Sequence, residues 1–365
     1  MSYTGKIYLS DEGYGHIVRQ RAVIEELKIL QPKIELTLQT SQHLEAAKRF
    51  IPNVKYIDRF NNIVWHKQVN GSPDVPRIRE QYAHYSETSK LFLDREMAEE
   101  EQYDFLLSDF VYEVFDLGVK KGIPSFGVAH FTWDWFFSKL YPPPLQSSLI
   151  YQLIESAHRA SRLYFPPFTP KEILMQYRGK AIEVPLILRK EIDHKVTEYK
   201  NRFKVLIADS GSGILADSIA KALDSVANLS DFVFFVTDKF KCENENVHYI
   251  PATDLIVDYV SDMDLVIGRA GFNTISECIG LRTPMLLIGE AMNPEINENI
   301  LMLKQYHLGS FISLFTFENE LGKFLPSFLD HEYRFIKSSM QKHEILSNGA
   351  EVIARDMLEH MDQIS

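Results

Sequence analysis

The chain has 365 residues, 45% hydrophobic and 12% aromatic, enough apolar material for two cores of roughly 180 residues each. That content excludes global disorder, and no apolar run approaches the roughly 18 residues of a membrane-spanning helix. With 39 basic and 50 acidic side chains the formal charge is −11, which argues against a general affinity for nucleic acid or an anionic membrane.

The first residues show no basic stretch followed by an apolar one, so no secretory signal is expected. Residues 6–10 predict a strand, 11–15 a loop, and 16–30 a helix with Ile17, Ala22, Ile24 and Leu27 on its apolar face. Residues 34–38 predict the next strand. Residues 105–108 and 125–128 follow the same rule, separated by a helical stretch that ends at Lys120-Lys121-Gly122. Residues 184–189 are apolar and contain a proline, and they read as a connector with a domain boundary near residue 190.

The pattern then restarts: a strand at 203–208, a loop at 209–213 and a helix at 214–226. Further strands are expected at 232–236, 248–250, 265–268 and 285–288. Strands alternating with helices imply right-handed crossovers and mostly parallel sheets, here in two α/β domains, 1–190 and 191–365. A cleft is expected between them at the carboxyl ends of both sheets. Residues 331–361 read as one or two helices broken near Asn348-Gly349, able to pack back on the first domain.

The richest segment is residues 264–278, DLVIGRAGFNTISEC. A buried strand runs into a turn at Gly268–Gly271, and Asn273 or Thr274 is expected to cap the following helix. Unpaired N–H groups and the positive helix end suit a phosphate, with Gly271 allowing close approach and Arg269 adding a charge-assisted contact. Glu277, about one turn inside, would be repelled by a diphosphate and suits a neutral diol such as a ribose. On spacing alone, Gly271 could instead relieve a tight turn and Glu277 could be a solvated helix residue. Cys278 and Cys242 are the two cysteines, too few for a disulfide framework or a four-ligand zinc site, as in a reducing, cytoplasmic compartment.

Residues 264–309 resemble the nucleotide-sugar-binding signature of GT-B glycosyltransferases, above all the family of the N-acetylglucosaminyltransferase that makes the peptidoglycan lipid intermediate. The likeness rests on Arg269-Ala-Gly-Phe-Asn-Thr-Ile-Ser-Glu277, Arg282-Thr-Pro284, the apolar 285–288, Asn293-Pro-Glu-Ile-Asn-Glu-Asn299 and Leu308-Gly309. It implies a GT-B fold of two facing Rossmann-like domains, the donor lying mainly on the second. It also implies that Gly271, Asn273 and Thr274 face the diphosphate, and that Glu277 binds the ribose. Asn293 and Glu295 would read the sugar hydroxyls, and the backbone near Ile250 would face the base. Asn293-Pro-Glu295 and Ile300 depart from the family pattern at positions that read the sugar.

The loop Asp11-Glu-Gly-Tyr-Gly-His16 is similar to the Gly-rich, Gly-His turn of the same enzymes, with Gly13, Gly15 and His16 in the matching places. At a helix start His16 would stay neutral and serve as base, with Asp109 as the second candidate; a capping histidine is the plainer alternative. Leu107-Ser-Asp109, Gly122-Ile-Pro124 and residues 129–135 resemble glycosyltransferase-related bacterial proteins and the amino-terminal part of plant-type L-arabinokinases. That likeness puts Asp109 and Asp134 at the acceptor rim. Phe131, Trp133, Trp135, Phe136 and Phe137 would either pack between helices or, if exposed, stack on an acceptor sugar or touch a lipid carrier.

Asp262-Met-Asp264 spells a metal-binding Asp-x-Asp, but directly before a buried strand, so no metal is expected. The loop Asp209-Ser210-Gly211-Ser-Gly213 lacks the lysine of a P-loop and is expected to shape the site beside the diphosphate through Ser210 and Gly211. The reading is therefore a metal-independent, inverting transferase without a resident cofactor. A nucleotide sugar, UDP-linked, is the co-substrate, and a sugar, lipid-linked or small-molecule hydroxyl is the acceptor. A nucleotide-sugar hydrolase or 2-epimerase is the alternative, with Glu12, Glu290 and Glu295 as further carboxylates; a non-catalytic sugar-nucleotide-binding protein is another. Nucleic acid is not expected as a partner, and peripheral membrane contact stays open.

Overall fold

A computed structural model describes the chain apart from residues 1, 12–13, 62–65, 69–71, 190–194, 197, 200, 209–214, 238–243, 252–253, 290–292, 344–345 and 365. Two compact units emerge, one of residues 1–68, 72–189 and 347–365, the other of residues 190–346. Among the described residues no helix is long and apolar enough to cross a membrane.

The first unit opens with β1 (Thr4–Tyr8), α1 (Tyr14–Leu30), β2 (Glu35–Thr40), α2 (Leu44–Phe50) and β3 (Lys55–Asp58). Two helices, α3 (Val75–Ala83) and α4 (Tyr85–Met97), lead to β4 (Phe105–Ser108), α5 (Glu113–Lys121) and β5 (Ser125–Val128). It closes with α6 (Trp133–Ser138), α7 (Ser147–Ala157), β6 (Arg162–Phe165), α8 (Lys171–Gln176) and β7 (Ala181–Glu183). The strands form one parallel sheet in the order β3-β2-β1-β4-β5-β6-β7. β1 is covered on both faces: Ile7 lies in the core with Ile17, Ala22, Ile24 and Leu27 of α1, whereas Tyr8 packs with Phe92, Val114 and Leu117. Such two-sided burial is why Ile7, Tyr8 and Leu9 follow one another without a polar residue between them.

The second unit holds β8 (Phe203–Ala208), α9 (Ala216–Ser225), β9 (Phe232–Thr237), β10 (Val247–Ile250) and α10 (Val257–Val260). Then come β11 (Leu265–Arg269), α11 (Phe272–Gly280), β12 (Met285–Ile288), α12 (Pro294–Tyr306) and β13 (Ser310–Ile312). Its sheet is also parallel, in the order β10-β9-β8-β11-β12-β13. Both units are thus Rossmann-like, as the alternation predicts. The short strands β3, β6, β7 and β13 had gone unread.

The helical tail is α13 (Leu314–Phe328), a π-turn over Leu329–Tyr333, α14 (Arg334–Lys342) and α15 (Gly349–Ile364). The last helix belongs to the first unit, where Ile353, Ala354 and Met357 join the α1 core. Asn348 bridges Ile187, and the Gly349 N–H donates to Leu186 O at 3.0 Å. A Cβ on Gly349 would sit 2.1 Å from Pro185 O, so only glycine permits this junction.

A buried charged network ties β1 to α4. Lys6 Nζ donates to Glu96 at 2.6 Å, Tyr8 Oη to the same carboxylate at 2.8 Å, and Arg59 to its other oxygen at 3.1 Å. Burial pushes the Glu96 carboxyl up, but Lys6, Tyr8 and Arg59 outweigh it and lower it from 4.5 to about 2. A depressed folded value stabilises the fold above pH 4.5, and that contribution is lost as pH falls towards 2. Its size is roughly 3 kcal/mol. Urea unfolding of Glu96→Gln is expected to show a clearly smaller loss of stability over this pH window than the wild type; identical pH dependence would refute the assignment.

Candidate functional site

In each sheet the strand order reverses once, between β1 and β4 and between β8 and β11. Loops leaving the carboxyl ends of such a strand pair diverge to opposite faces and open a crevice. His16 and Asp109 lie at the first of these places and Arg269 to Glu277 at the second.

In the first unit, Asp109 directly follows β4 and its N–H donates to Tyr8 O at 3.0 Å. The chain then turns sharply. Phe110 takes φ 57, a left-handed conformation that costs a bulky residue energy, and is held by rings of Tyr112, Phe115, Phe165 and Tyr177. Asp109 is fully buried, with Ser10 Oγ donating at 3.1 Å and His16 Nδ1 donating to the same oxygen. Its second oxygen accepts from Arg19 Nη2 and, at 3.5 Å, from Gln20. Burial raises its pKa, but the charges and hydrogen bonds of His16 and Arg19 prevail and hold Asp109 well below the usual carboxylate range.

This geometry sets the histidine tautomer. A carboxylate only accepts, so His16 Nδ1 is the donor towards Asp109, and in the neutral ring the lone pair is then on Nε2. Its side chain keeps 18% exposure, against none for Asp109. α1 begins at Tyr14, two residues before the expected start, so Gly15 and His16 both lie in its first turn. Asp11 braces the site from below, accepting from Thr40 Oγ1 and from the N–H groups of Ser41, Gln42 and Asn61 at 2.8–3.0 Å. Gly13 and Glu12 lie outside the described residues.

The aromatic segment takes the first of its two readings, packing between helices. Phe131, Trp133, Trp135, Phe136 and Phe137 are all buried in one cluster with Tyr82, Tyr112 and Tyr177. Asp134 is buried with them, accepting from Tyr112 Oη and, at 2.8 Å, from Tyr177 Oη. Burial pushes its carboxyl up. Asp134 is thus a structural anchor between α6 and its neighbours and not a rim residue, and none of these rings is available to stack on a ligand.

In the second unit Gly268 lies against Ala208, where a Cβ would approach Ala208 O to 2.8 Å, so glycine is needed for the strands to meet. Gly271 is different. It has φ −73 and ψ 139, which any residue adopts, and no described atom comes within 4 Å of the place a Cβ would take. Turn geometry therefore does not require this glycine.

α11 starts at Phe272 with Gly271 as its N-cap, so Asn273 and Thr274 lie in the first turn and neither caps the helix. Amides of a first turn have no acceptor one turn back and point out of the helix end. Asn273, Thr274 and Glu277 share the partly exposed face, while Ile275, Ser276 and Cys278 are buried. Arg269 ends β11 half-buried, and Ile250 ends β10 with its side chain buried. After β12, Asn293 caps α12, its Oδ1 accepting from the Ile296 N–H at 3.3 Å, and Glu295 lies half-buried one residue beyond Pro294. All stand at the carboxyl edge of one sheet. Ser210, Gly211 and Glu290 fall outside the described residues.

Asp262 and Asp264 lie at the opposite, amino end of β11, accepting from the N–H groups of Val196 and Lys204 at 2.9 Å. Two residues were given no role in the sequence reading, Asn299 although it lies in the quoted motif. Arg19 is invisible there because its partner Asp109 is 90 residues away, although an arginine one turn after His16 was a possible signal. Asn299 is buried and donates to Ala270 O at 2.8 Å, steadying the turn before Gly271.

Residues 230–343 match the glycosyltransferase family 28 C-terminal domain. A search of curated proteins returns no match. Among solved structures, the glycotransferase of kitacinnamycin superposes with a TM-score of 0.68 at 14% identity, 99% of each chain being covered. The UDP complex of Arabidopsis thaliana UGT89C1 gives 0.67 at 11% identity, covering 99% of this chain and 100% of that one. A UDP-N-acetylglucosamine 2-epimerase gives 0.62 at 13% identity over 100% of this chain and 98% of that one. The architecture is therefore GT-B, and the family 28 domain supports a glycosyltransferase.

Proposed function

We propose that the protein moves a sugar from a nucleoside-diphosphate sugar, UDP-linked, to an acceptor hydroxyl, with inversion at the anomeric carbon and without a metal ion. The observation that carries this reading is the Gly271–Glu277 helix terminus at the strand-order reversal of the second sheet, inside the family 28 segment. The α11 amides at Asn273 and Thr274, with Arg269, meet the negative charge that grows on the diphosphate as the glycosidic bond breaks. Glu277, one turn further along the same face, takes the ribose diol.

His16 serves the acceptor. Its Nε2 lone pair removes the hydroxyl proton as the oxygen attacks the anomeric carbon from the side opposite the diphosphate. Asp109 is the partner of this base and not the base itself, since both its oxygens are occupied and its burial keeps it from substrate. It stabilises the imidazolium that forms. The proposed UDP preference is supported by the UDP complex of the Arabidopsis neighbour. The likeness to a 2-epimerase lies in the fold; in that reading a radiolabelled sugar supplied on the nucleotide would return as an isomer and not appear on an acceptor.

Gly271→Ala tests the donor site without disturbing the fold. Alanine accepts the native φ and ψ, and its better unfolded-state entropy opposes its poorer helix cap, so stability is expected to move by less than about 1 kcal/mol. Its methyl group projects into the space assigned to the diphosphate, so UDP affinity by calorimetry is expected to fall about tenfold or more. Unchanged affinity would remove Gly271 from the site.

A further inference from the structure

Arg19 is buried on α1, one turn after His16, and plays no part in the reaction as described above. Its Nη2 donates to Asp109 Oδ1, lies 3.2 Å from His16 Nδ1, and its Nη1 is 3.4 Å from His130 Nδ1. Its Nε, like the side-chain oxygen of Gln20, is buried with no hydrogen-bond partner among the described residues. Buried polar atoms are nearly always satisfied, so a guanidinium held with an unpaired donor is not there for packing alone.

We propose that Arg19 is a positioning residue that sets the proton affinity of His16 by sharing the Asp109 carboxylate with it. A carboxylate beside a histidine favours the imidazolium; a guanidinium on the carboxylate's other oxygen opposes that. Asp109 and Arg19 together carry no net charge, which weakens the carboxylate's pull for a second proton on the His16 ring. Without Arg19 the site would carry one negative charge, and His16 would take up a proton to cancel it.

The other titratable groups around His16 leave this logic intact. His43, in the loop before α2, feels both His16 and Asp11, and burial chiefly lowers its pKa. Asp11 is engaged by the N–H groups of Ser41, Gln42 and Asn61. His130, after β5, faces Arg19 through Nδ1; arginine only donates, so that nitrogen is the acceptor.

The inference rests on His16 as the base, and the test separates the two. The full-length protein, with its histidine rings carbon-13 labelled, is titrated by NMR as wild type, Arg19→Gln, Arg19→Lys and Asp109→Asn. His16→Gln identifies the resonance among the 12 histidines. The His16 pKa is expected to rise by about one to three units in Arg19→Gln, stay near the wild-type value in Arg19→Lys, and fall in Asp109→Asn. In the same samples, Arg19→Gln should lose activity at neutral pH and recover it at alkaline pH.

An unmoved His16 titration in Arg19→Gln overturns the proposal. Should that variant not fold, an unchanged or raised value in Asp109→Asn overturns it equally. A titration that shifts while the activity profile stays put upholds the tuning by Arg19 and refutes His16 as the base.

Discussion

Replacing His16 by alanine is expected to lower turnover by roughly 10²–10⁴-fold while leaving UDP affinity nearly unchanged. The two effects separate because His16 belongs to the first unit, in the first turn of α1, whereas the diphosphate is assigned to α11 of the second. A group that acts only in the transition state lowers kcat and kcat/KM together, whereas one that holds the nucleotide raises its dissociation constant. Single-turnover rates and calorimetry on the same preparation decide the matter. Equal losses in both would assign His16 to donor binding and leave the reaction without a base.

The second large effect is on stability. Asp109→Ala leaves the Arg19 guanidinium buried beside the cavity with no carboxylate, and breaking one side of a buried pair costs about 3–5 kcal/mol. Removing the partner as well, in Asp109→Ala with Arg19→Leu, should return much of that loss, because no uncompensated charge remains. Activity should not return with it, since His16 would still lack the acceptor that fixes its Nδ1 proton. Urea unfolding and turnover of the two variants give the comparison. A double variant as unstable as the single one would show that Asp109 matters for packing and not for its charge.

How much of this was legible beforehand follows from how local each feature is. The Gly271–Glu277 site could be found because strand, glycine and helix are contiguous, and the helix start was misread by two residues only. Asn273 and Thr274 are good caps in isolation, but the extended Gly271 takes the cap first. Ile17, Ala22, Ile24 and Leu27 could be placed in the core because a 3.6-residue period is local too. The segment from Phe131 to Phe137 has no such period. Its burial depends on Tyr112 and Tyr177, which lie 22 and 43 residues from Asp134. The return of the tail to the first domain was allowed for, but not the partners of α15, which lie on α1 over 300 residues earlier in the chain.

His16 and Asp109 were the extreme case. Each was picked out separately as a rival for one role, and only the pairing of β1 with β4 shows that they are two parts of one device. The arginine that completes it was overlooked because a buried guanidinium has no sequence signature apart from its partner.

The central claim is that the carboxyl edge of the second sheet binds a nucleoside diphosphate. It is tested most directly by thermal unfolding of the wild type, Gly271→Ala and Glu277→Ala against UDP, GDP, dTDP and their sugars, with EDTA present throughout. A ligand that binds only the native state adds about 2.7 kcal/mol at a hundred times its dissociation constant. The expected result is a concentration-dependent rise in Tm with UDP or UDP-sugars for the wild type, reduced in both variants. No rise with any of these nucleotides, or an equal rise in all three proteins, would contradict the account.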